Sequence, residues 1–247
     1  MTKDMHQKPF EEHTINKLTI YEKYLKSALP LFMVRPDIRR INIIDYFCGS
    51  GTDSKGIPGS PLRAIEAVRS TLQSEQVDKT KEIIMLFNDL DKEKIVKLHN
   101  VVKAVMDLPK NVRIFSESKP FNELFNETYY LLNARSTANI LFIDQYGLSE
   151  VTQEIFEKLA NLNNTDFLFF LSSATFYRFR DDKNVKNKIP ALTEEETMAM
   201  KPGNVHRIIA LAYKRWIPPG RTLYLGNFSL KHDANVYGLV FGSVVSQ

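Results

Sequence analysis

The sequence predicts an α/β protein with a seven-stranded, mostly parallel sheet. Short apolar runs such as residues 41–47 and 82–88 alternate with segments whose apolar residues recur every three or four positions. Five such alternations are typical of a doubly wound parallel sheet. The nearly all-apolar run at 167–171 indicates a strand covered on both faces. Residues 231–235 form a polar turn between the last two strands, which predicts an antiparallel hairpin at the C-terminal end.

Each element follows from a local pattern. The N-terminal helix is predicted over 15–32, and Pro36 ends it. Ser60 is expected to cap the next helix, with Pro61 at its first position. The charged segment 172–190 is predicted to be a polar loop. The other predicted strands lie at 41–47, 82–88, 112–116, 139–143, 167–171, 221–229 and 236–244, and the other helices at 61–72, 91–106, 120–133, 149–162, 194–200 and 205–216.

Composition is that of an ordinary globular protein, with 247 residues of which 43% are hydrophobic. This length suits one domain over 1–247, made of a helical extension at 1–36 and an α/β core at 37–247. The net charge of +4 permits an anionic partner without requiring one. A single cysteine, Cys48, excludes an intrachain disulfide. No apolar run approaches the roughly 20 residues of a membrane helix, so a cytoplasmic location is expected.

The first strand ends in Asp45-x-x-x-Gly49-x-Gly51, an acid followed by a glycine turn. A dinucleotide fingerprint needs a third glycine where this chain has Ser54, and a phosphate-binding loop needs a lysine where Ile57 follows Gly56. With these two motifs excluded, the pattern is typical of the turn that binds S-adenosylmethionine (SAM). Asp45 is expected to orient the methionine end of SAM. A turn that merely joins strand to helix is the structural alternative. The predicted cofactor contacts in this turn are Asp45, Phe47, Gly49, Ser50 and Gly51.

Three further cofactor contacts are predicted at the ends of the second and third strands. Asp89 follows strand two, where a carboxylate can accept both ribose hydroxyls of an adenosyl group. Leu90 is expected to pack on the adenine face, and Glu117 to reach the adenine edge. The alternatives for Asp89 are a solvated strand-end acid or a helix N-cap, for which Asp91 is the better candidate. Replacing Asp89 by alanine is expected to change stability little, because a strand-end acid is not part of the core.

Candidate catalytic and substrate-binding residues follow strands four and five. Asp144 is predicted to hold or deprotonate the methyl acceptor, and Tyr146 to stack on a planar substrate. A local acidic turn is the alternative for this segment. Arg178 and Arg180 flank an aromatic residue and are predicted to bind nucleic acid. A solvated loop is the alternative for the arginines. No metal is predicted, since the histidines lack metal-ligand spacing, and Cys48 is expected to be a packed side chain.

Taken together, these motifs resemble one protein family. The segments 45–51, 59–62, 88–92 and 142–147 are similar to those of the bacterial three-Cys-motif partner proteins, over roughly residues 15–245. The resemblance implies a Rossmann-like class I methyltransferase fold. It also implies a partner, a radical-SAM-like protein that carries the three cysteines. One departure is Gln145, which stands where the family commonly has proline.

Two functional hypotheses follow. The first is a SAM-dependent methyltransferase acting on nucleic acid. The second is a catalytically inactive scaffold with the same fold, acting as partner of the radical-SAM-like three-cysteine protein. Gln145 favours the second hypothesis, because a proline-bearing turn is missing. An enzyme that uses NAD is a third and weaker alternative, because the third glycine is absent.

Overall fold

A computed structural model describes residues 8–105, 107–145, 150–183, 187, 189, 191–232 and 235–244. Its strands are β1 Arg40–Asp45, β2 Glu82–Asn88, β3 Val112–Glu117, β4 Thr137–Ile143, β5 Thr165–Leu171, β6 Leu223–His232 and β7 Asn235–Val244. Its helices are α1 Glu12–Val34, α2 Ser60–Gln73, α3 Lys92–Ala104, α4 Phe121–Leu132, α5 Gln153–Asn161, α6 Ser173–Phe179, α7 Glu194–Met198 and α8 Val205–Lys214.

The strands form one seven-stranded sheet in the order β3-β2-β1-β4-β5-β7-β6. β1 pairs in parallel with β2 and β4, and β2 pairs in parallel with β3. β7 is antiparallel to both β5 and β6. This order, with its closing antiparallel hairpin, is the class I methyltransferase topology, so the predicted fold class is confirmed. The strand order reverses between β1 and β4, which is the position where open α/β sheets bind ligands, outside the carboxyl ends of the strands.

The chain divides into two compact units, one up to Phe142 and one from Ile143. In the first unit β1 and β4 are almost wholly buried, as their apolar sequences predict. α1 buries its apolar stripe and joins α2 through an ion pair of 2.8 Å between Glu22 and Arg63. α1 ends at Val34, two residues before Pro36, as predicted.

The second unit has an aromatic core. Phe156 of α5 lies 5.0 Å from Tyr213 of α8, ring centre to ring centre, and Phe169 of β5 lies 5.3 Å from the same tyrosine. The buried Tyr213 hydroxyl donates to the Val151 carbonyl at 3.1 Å. The hydroxyl of a buried tyrosine usually has a hydrogen-bond partner, as this one does.

No helix in the described part of the chain is long and apolar enough to cross a membrane.

Two predicted local features are wrong. Residues 173–179, expected in a polar loop, form α6, because Phe176 is buried and the packing of that ring outweighs the charged composition around it. Ser60 is not the cap of α2. Gly59 occupies the N-cap and Ser60 is the first helical residue, because the Gly59 N–H donates to the Gly51 carbonyl at 2.7 Å and fixes the start of the helix.

Candidate functional site

The glycine turn after β1 is built around a buried acid. Asp45 has no exposed surface, and its Oδ1 accepts a hydrogen bond of 3.1 Å from the Phe47 N–H. Gly49 and Gly51 have φ values of +65° and +87°, in the left-handed region that favours glycine. The sequence therefore placed the turn correctly, with the acid at the carboxyl end of β1.

At Gly51 a larger residue is excluded by the packing of the protein itself. A Cβ added there would lie 2.8 Å from Cδ1 of Leu98, on the buried face of α3. The Gly51 carbonyl also accepts the N–H of Gly59, which starts α2. One glycine therefore sets the distance between the turn and two helices.

Asp89 connects the end of β2 to this turn. Its Oδ2 accepts the Gly49 N–H at 3.1 Å and lies 3.6 Å from Nζ of Lys94, while its Oδ1 accepts the Asp91 N–H at 2.9 Å. The side chains of Asp89 and Lys94 are each only 13% exposed. The alternative of a solvated strand-end acid is therefore wrong. Lys94 belongs to the site and was missed by sequence reasoning, because a lysine in the first turn of a helix carries no distinctive pattern.

Asn88 holds the ends of three strands together. Its side-chain N–H groups donate to the carbonyls of Tyr46 and Lys119 at 3.1 and 3.0 Å, and its Oδ1 accepts the Lys119 N–H at 3.0 Å. Its own carbonyl accepts the Cys48 N–H at 2.8 Å. In the β2–β3 register Asn88 lies opposite Glu117. The predicted adenosyl contacts are therefore brought to the same edge of the sheet as the glycine turn.

The remaining predicted cofactor residues differ in exposure. Leu90 is 70% exposed, and Glu117 is half-buried with its carbonyl accepting the Asp89 N–H at 3.4 Å. Phe47 is half-buried and lies 5.5 Å from Phe121, ring centre to ring centre. Ser50 is buried and donates to the Thr52 carbonyl at 3.0 Å. The exposed Leu90 has an open apolar side chain available for a planar ligand.

Cys48, inside the turn, is buried as predicted. Burial, together with the charges of Asp45 and Asp89, raises the pKa of its thiol well above the usual range. A thiol that stays protonated is a poor nucleophile. Cys48 is therefore a packed side chain of the turn.

Asp53 organises the loop that follows the glycines, and sequence reasoning missed it. Its Oδ1 accepts the N–H groups of Lys55 and Ile57, and its Oδ2 accepts the N–H of Phe10, each at 2.8 Å. Burial acts to raise its pKa, but these backbone donors lower the pKa overall. The Asp-x-Lys-Gly pattern of a side-chain-capped turn was the available signal for the local bonds. The bond to the N-terminal segment left no sequence signal.

Tyr21 of α1 is a second residue that the sequence did not single out. It is fully buried, and its ring stacks on Phe142 with centres 4.2 Å apart. Phe142 is the β4 partner of Asp45 in the sheet register. Within the described structure no hydrogen-bond partner lies within reach of the Tyr21 hydroxyl. Burial and then the charge of Asp45 raise the pKa of Tyr21 well above its usual value, so the hydroxyl is protonated and close to that carboxylate.

The predicted catalytic residues belong to the second unit. Asp144 follows β4 and is half-buried, whereas Tyr146 lies outside the described residues. Gln145 is buried and donates to the Phe170 carbonyl at 3.3 Å. Its Oε1 accepts the N–H groups of Glu150 and Val151 at 2.9 and 3.2 Å. Hydrogen bonds from a glutamine side chain therefore fix the backbone next to Asp144.

The two predicted substrate-binding arginines lie on and just after α6. Arg178 is exposed. Arg180 lies over the Tyr177 ring at 4.2 Å and donates to the Tyr177 carbonyl at 2.8 Å. The contacts of Arg180 thus hold its guanidinium against Tyr177, whereas the Arg178 side chain is exposed. Among the described residues, no three acidic, histidine or cysteine side chains are grouped so as to hold a metal ion.

Comparison with protein-family models and with curated protein sequences gives no match. Among solved structures, the chain is similar to the O-methyltransferase TomG from Streptomyces achromogenes, crystallised with SAM, at 11% identity and a TM-score of 0.48. It is also similar to an O-methyltransferase from Bacillus cereus, crystallised with S-adenosylhomocysteine, at 10% identity and a TM-score of 0.48. Each match covers 96% of this chain and 92% of the other. At this level of similarity neither structure assigns a role to any residue of this chain.

Proposed function

We propose that the protein binds SAM and transfers its methyl group. The observation that carries this proposal is the 3.1 Å hydrogen bond from the Gly49 N–H to Asp89, within the strand order of a methyltransferase. It places the acid that ends β2 directly against the glycine turn that ends β1. In open α/β sheets this is where an adenosyl ligand lies, with its ribose on the acid and its remaining groups at the turn.

The residues present fit the cofactor chemically. An ionised carboxylate has about four acceptor sites. Backbone N–H groups occupy one on each oxygen of Asp89, so a ribose hydroxyl can still bond to each oxygen. Asp45 offers a buried negative charge for the ammonium group, and Leu90 and Glu117 serve the adenine face and edge. When bound, SAM supplies an electrophilic methyl group on its sulfonium.

Methyl transfer needs little from the protein beyond alignment of the acceptor and a group that takes its proton. We assign the proton-accepting role to Asp144, which follows β4, and substrate stacking to Tyr146. As the substrate we propose nucleic acid, gripped through Arg178 and Arg180. The exposure of Arg178 supports this assignment, and Arg180 has to leave the Tyr177 ring to take part.

A second candidate is an inactive module that scaffolds a radical-SAM-like three-cysteine partner, as in the family that the sequence resembles. The observation that favours it is that the glycine turn already has hydrogen-bond and packing partners within the protein. Gly49 is bonded to Asp89, and the space beside Gly51 is filled by Leu98.

Calorimetry with S-adenosylhomocysteine, followed by methyl transfer from labelled SAM to mixed DNA, RNA and protein, separates these candidates. The methyltransferase proposal expects binding, and label incorporation that Asp144→Ala abolishes while cofactor binding persists. Binding without incorporation into any substrate supports the scaffold. Absence of binding at millimolar ligand overturns the cofactor assignment itself.

A further inference from the structure

The buried end of β1 contains a polar group that the proposed function has not used. Tyr21 is fully buried, and its hydroxyl has no hydrogen-bond partner among the described residues. Burying a hydroxyl without a partner is unfavourable, so such groups in folded proteins generally bond to another protein group or to an ordered water, and an exception calls for an explanation. Among the residues that the structure describes, the other two fully buried tyrosines have partners. Tyr46 lies 3.5 Å from the Thr128 hydroxyl, and Tyr213 bonds to Val151.

The surroundings of this hydroxyl define what it can bind. The ring of Tyr21 is held by stacking on Phe142, which is the register partner of Asp45. Burial, and then the charge of Asp45, raise the pKa of Tyr21 well above its usual value, so the hydroxyl is protonated and is a hydrogen-bond donor there. A donor and a carboxylate therefore lie close together below the surface. The donor needs an acceptor, and the carboxylate favours a cation.

The zwitterion of an α-amino acid carries both the acceptor that the hydroxyl needs and the cation that the carboxylate favours, a few ångströms apart. Its ammonium group donates to a carboxylate and its carboxylate accepts from a hydroxyl. Because its two charges cancel, a zwitterion enters a buried site at lower cost than either ion alone. The methionine end of SAM is such a fragment.

We propose that Tyr21 donates its hydroxyl hydrogen to the carboxylate of the cofactor's amino-acid end, while Asp45 holds the ammonium group. Tyr21 is then a binding residue that lets the site distinguish S-adenosyl amino acids from adenosyl compounds without that end. This inference rests on the proposed function.

The experiment compares Tyr21→Phe with the wild type, using S-adenosylhomocysteine and 5′-methylthioadenosine in calorimetry. The second ligand keeps the adenosyl group but lacks the amino acid. A lost hydrogen bond to a charged group weakens binding about tenfold to a hundredfold. We expect that loss for S-adenosylhomocysteine and no change for 5′-methylthioadenosine. Equal affinities of variant and wild type for S-adenosylhomocysteine would mean that a water satisfies the hydroxyl, and would overturn the inference.

Thermal unfolding of the free proteins gives a readout that is independent of the cofactor. Tyr21→Phe removes a buried hydroxyl without a partner, so the melting temperature should rise by about 2–12 °C. Tyr213→Phe is the matched control, because it removes an equally buried hydroxyl that does have a partner, and its melting temperature should fall. A fall for Tyr21→Phe as well would contradict the inference. If the wild type binds neither ligand, the proposed function fails, whereas binding of both ligands with no effect of Tyr21→Phe refutes only the role of Tyr21.

Discussion

Replacing Asp89 by alanine should lower stability and cofactor affinity together. In the free protein the change leaves the Gly49 N–H without its acceptor and Lys94, itself only 13% exposed, without its ion-pair partner. An unsatisfied buried donor costs about 1–3 kcal/mol. With the added cost for the lysine, we expect a loss of about 3 kcal/mol. For a chain of this size that corresponds to a melting temperature lower by about 6–12 °C.

The affinity for S-adenosylhomocysteine should fall about tenfold to a hundredfold, because a charged acceptor of the ribose hydroxyls is removed. Asp91→Ala is the control. It removes the cap that accepts the Glu93 N–H at 2.9 Å, which should cost about 1 kcal/mol and leave cofactor affinity unchanged. Unfolding is measured by calorimetry and binding by titration. An Asp89→Ala protein that melts within about 2 °C of the wild type would refute the structural role, and unchanged affinity in a folded variant would refute the ribose role.

Three further predictions concern other parts of the chain. Gly51→Ala should destabilise the protein in urea denaturation more than Gly56→Ala, because both positions have positive φ but only the first has a neighbour within 4 Å of the added Cβ; equal losses would contradict this. His206 is buried, and burial followed by the charge of Arg207 lowers its pKa, so the unfolded chain takes up the proton more readily. The free energy of unfolding should therefore decrease as the pH falls below about 6.5, and His206→Gln should flatten that decrease; an unchanged pH profile in the variant would exclude the histidine as its source. Replacing Arg178 and Arg180 by alanine should reduce the log–log salt slope of nucleic acid binding by about 0.7–0.9 per lost phosphate contact; a wild type without salt-sensitive binding would refute a nucleic acid substrate.

The sequence predicted the sheet well because its information is local and periodic. The apolar runs of the parallel strands and the turn before the last strand predict a seven-stranded, mostly parallel sheet with a closing antiparallel hairpin. Elements were missed where packing outweighed composition. The residues of α6 precede a run of charged side chains that suggests a loop, but Ser173 and Phe176 of α6 are buried.

The site was predicted in outline, because acids and glycines at strand ends are visible in the sequence. Its connections were not. That Asp89 bonds to Gly49, or that Lys94 neutralises it, depends on the distance between two strand ends and a helix, which no spacing along the chain encodes. Tyr21 was classed with the apolar stripe of α1, because a tyrosine whose hydroxyl faces an acid has the same helical spacing as one that only packs.

The carboxylate of Asp53 ties Phe10 to the loop that follows the glycine turn. Through this hydrogen bond, the state of the backbone at Phe10 depends on the loop around Asp53, 43 positions away in the sequence. The amide hydrogen of Phe10 exchanges with solvent only when that bond opens, so its exchange rate follows the opening of the loop. A label placed near Phe10 therefore reports on the order of the loop without touching any residue assigned to the cofactor.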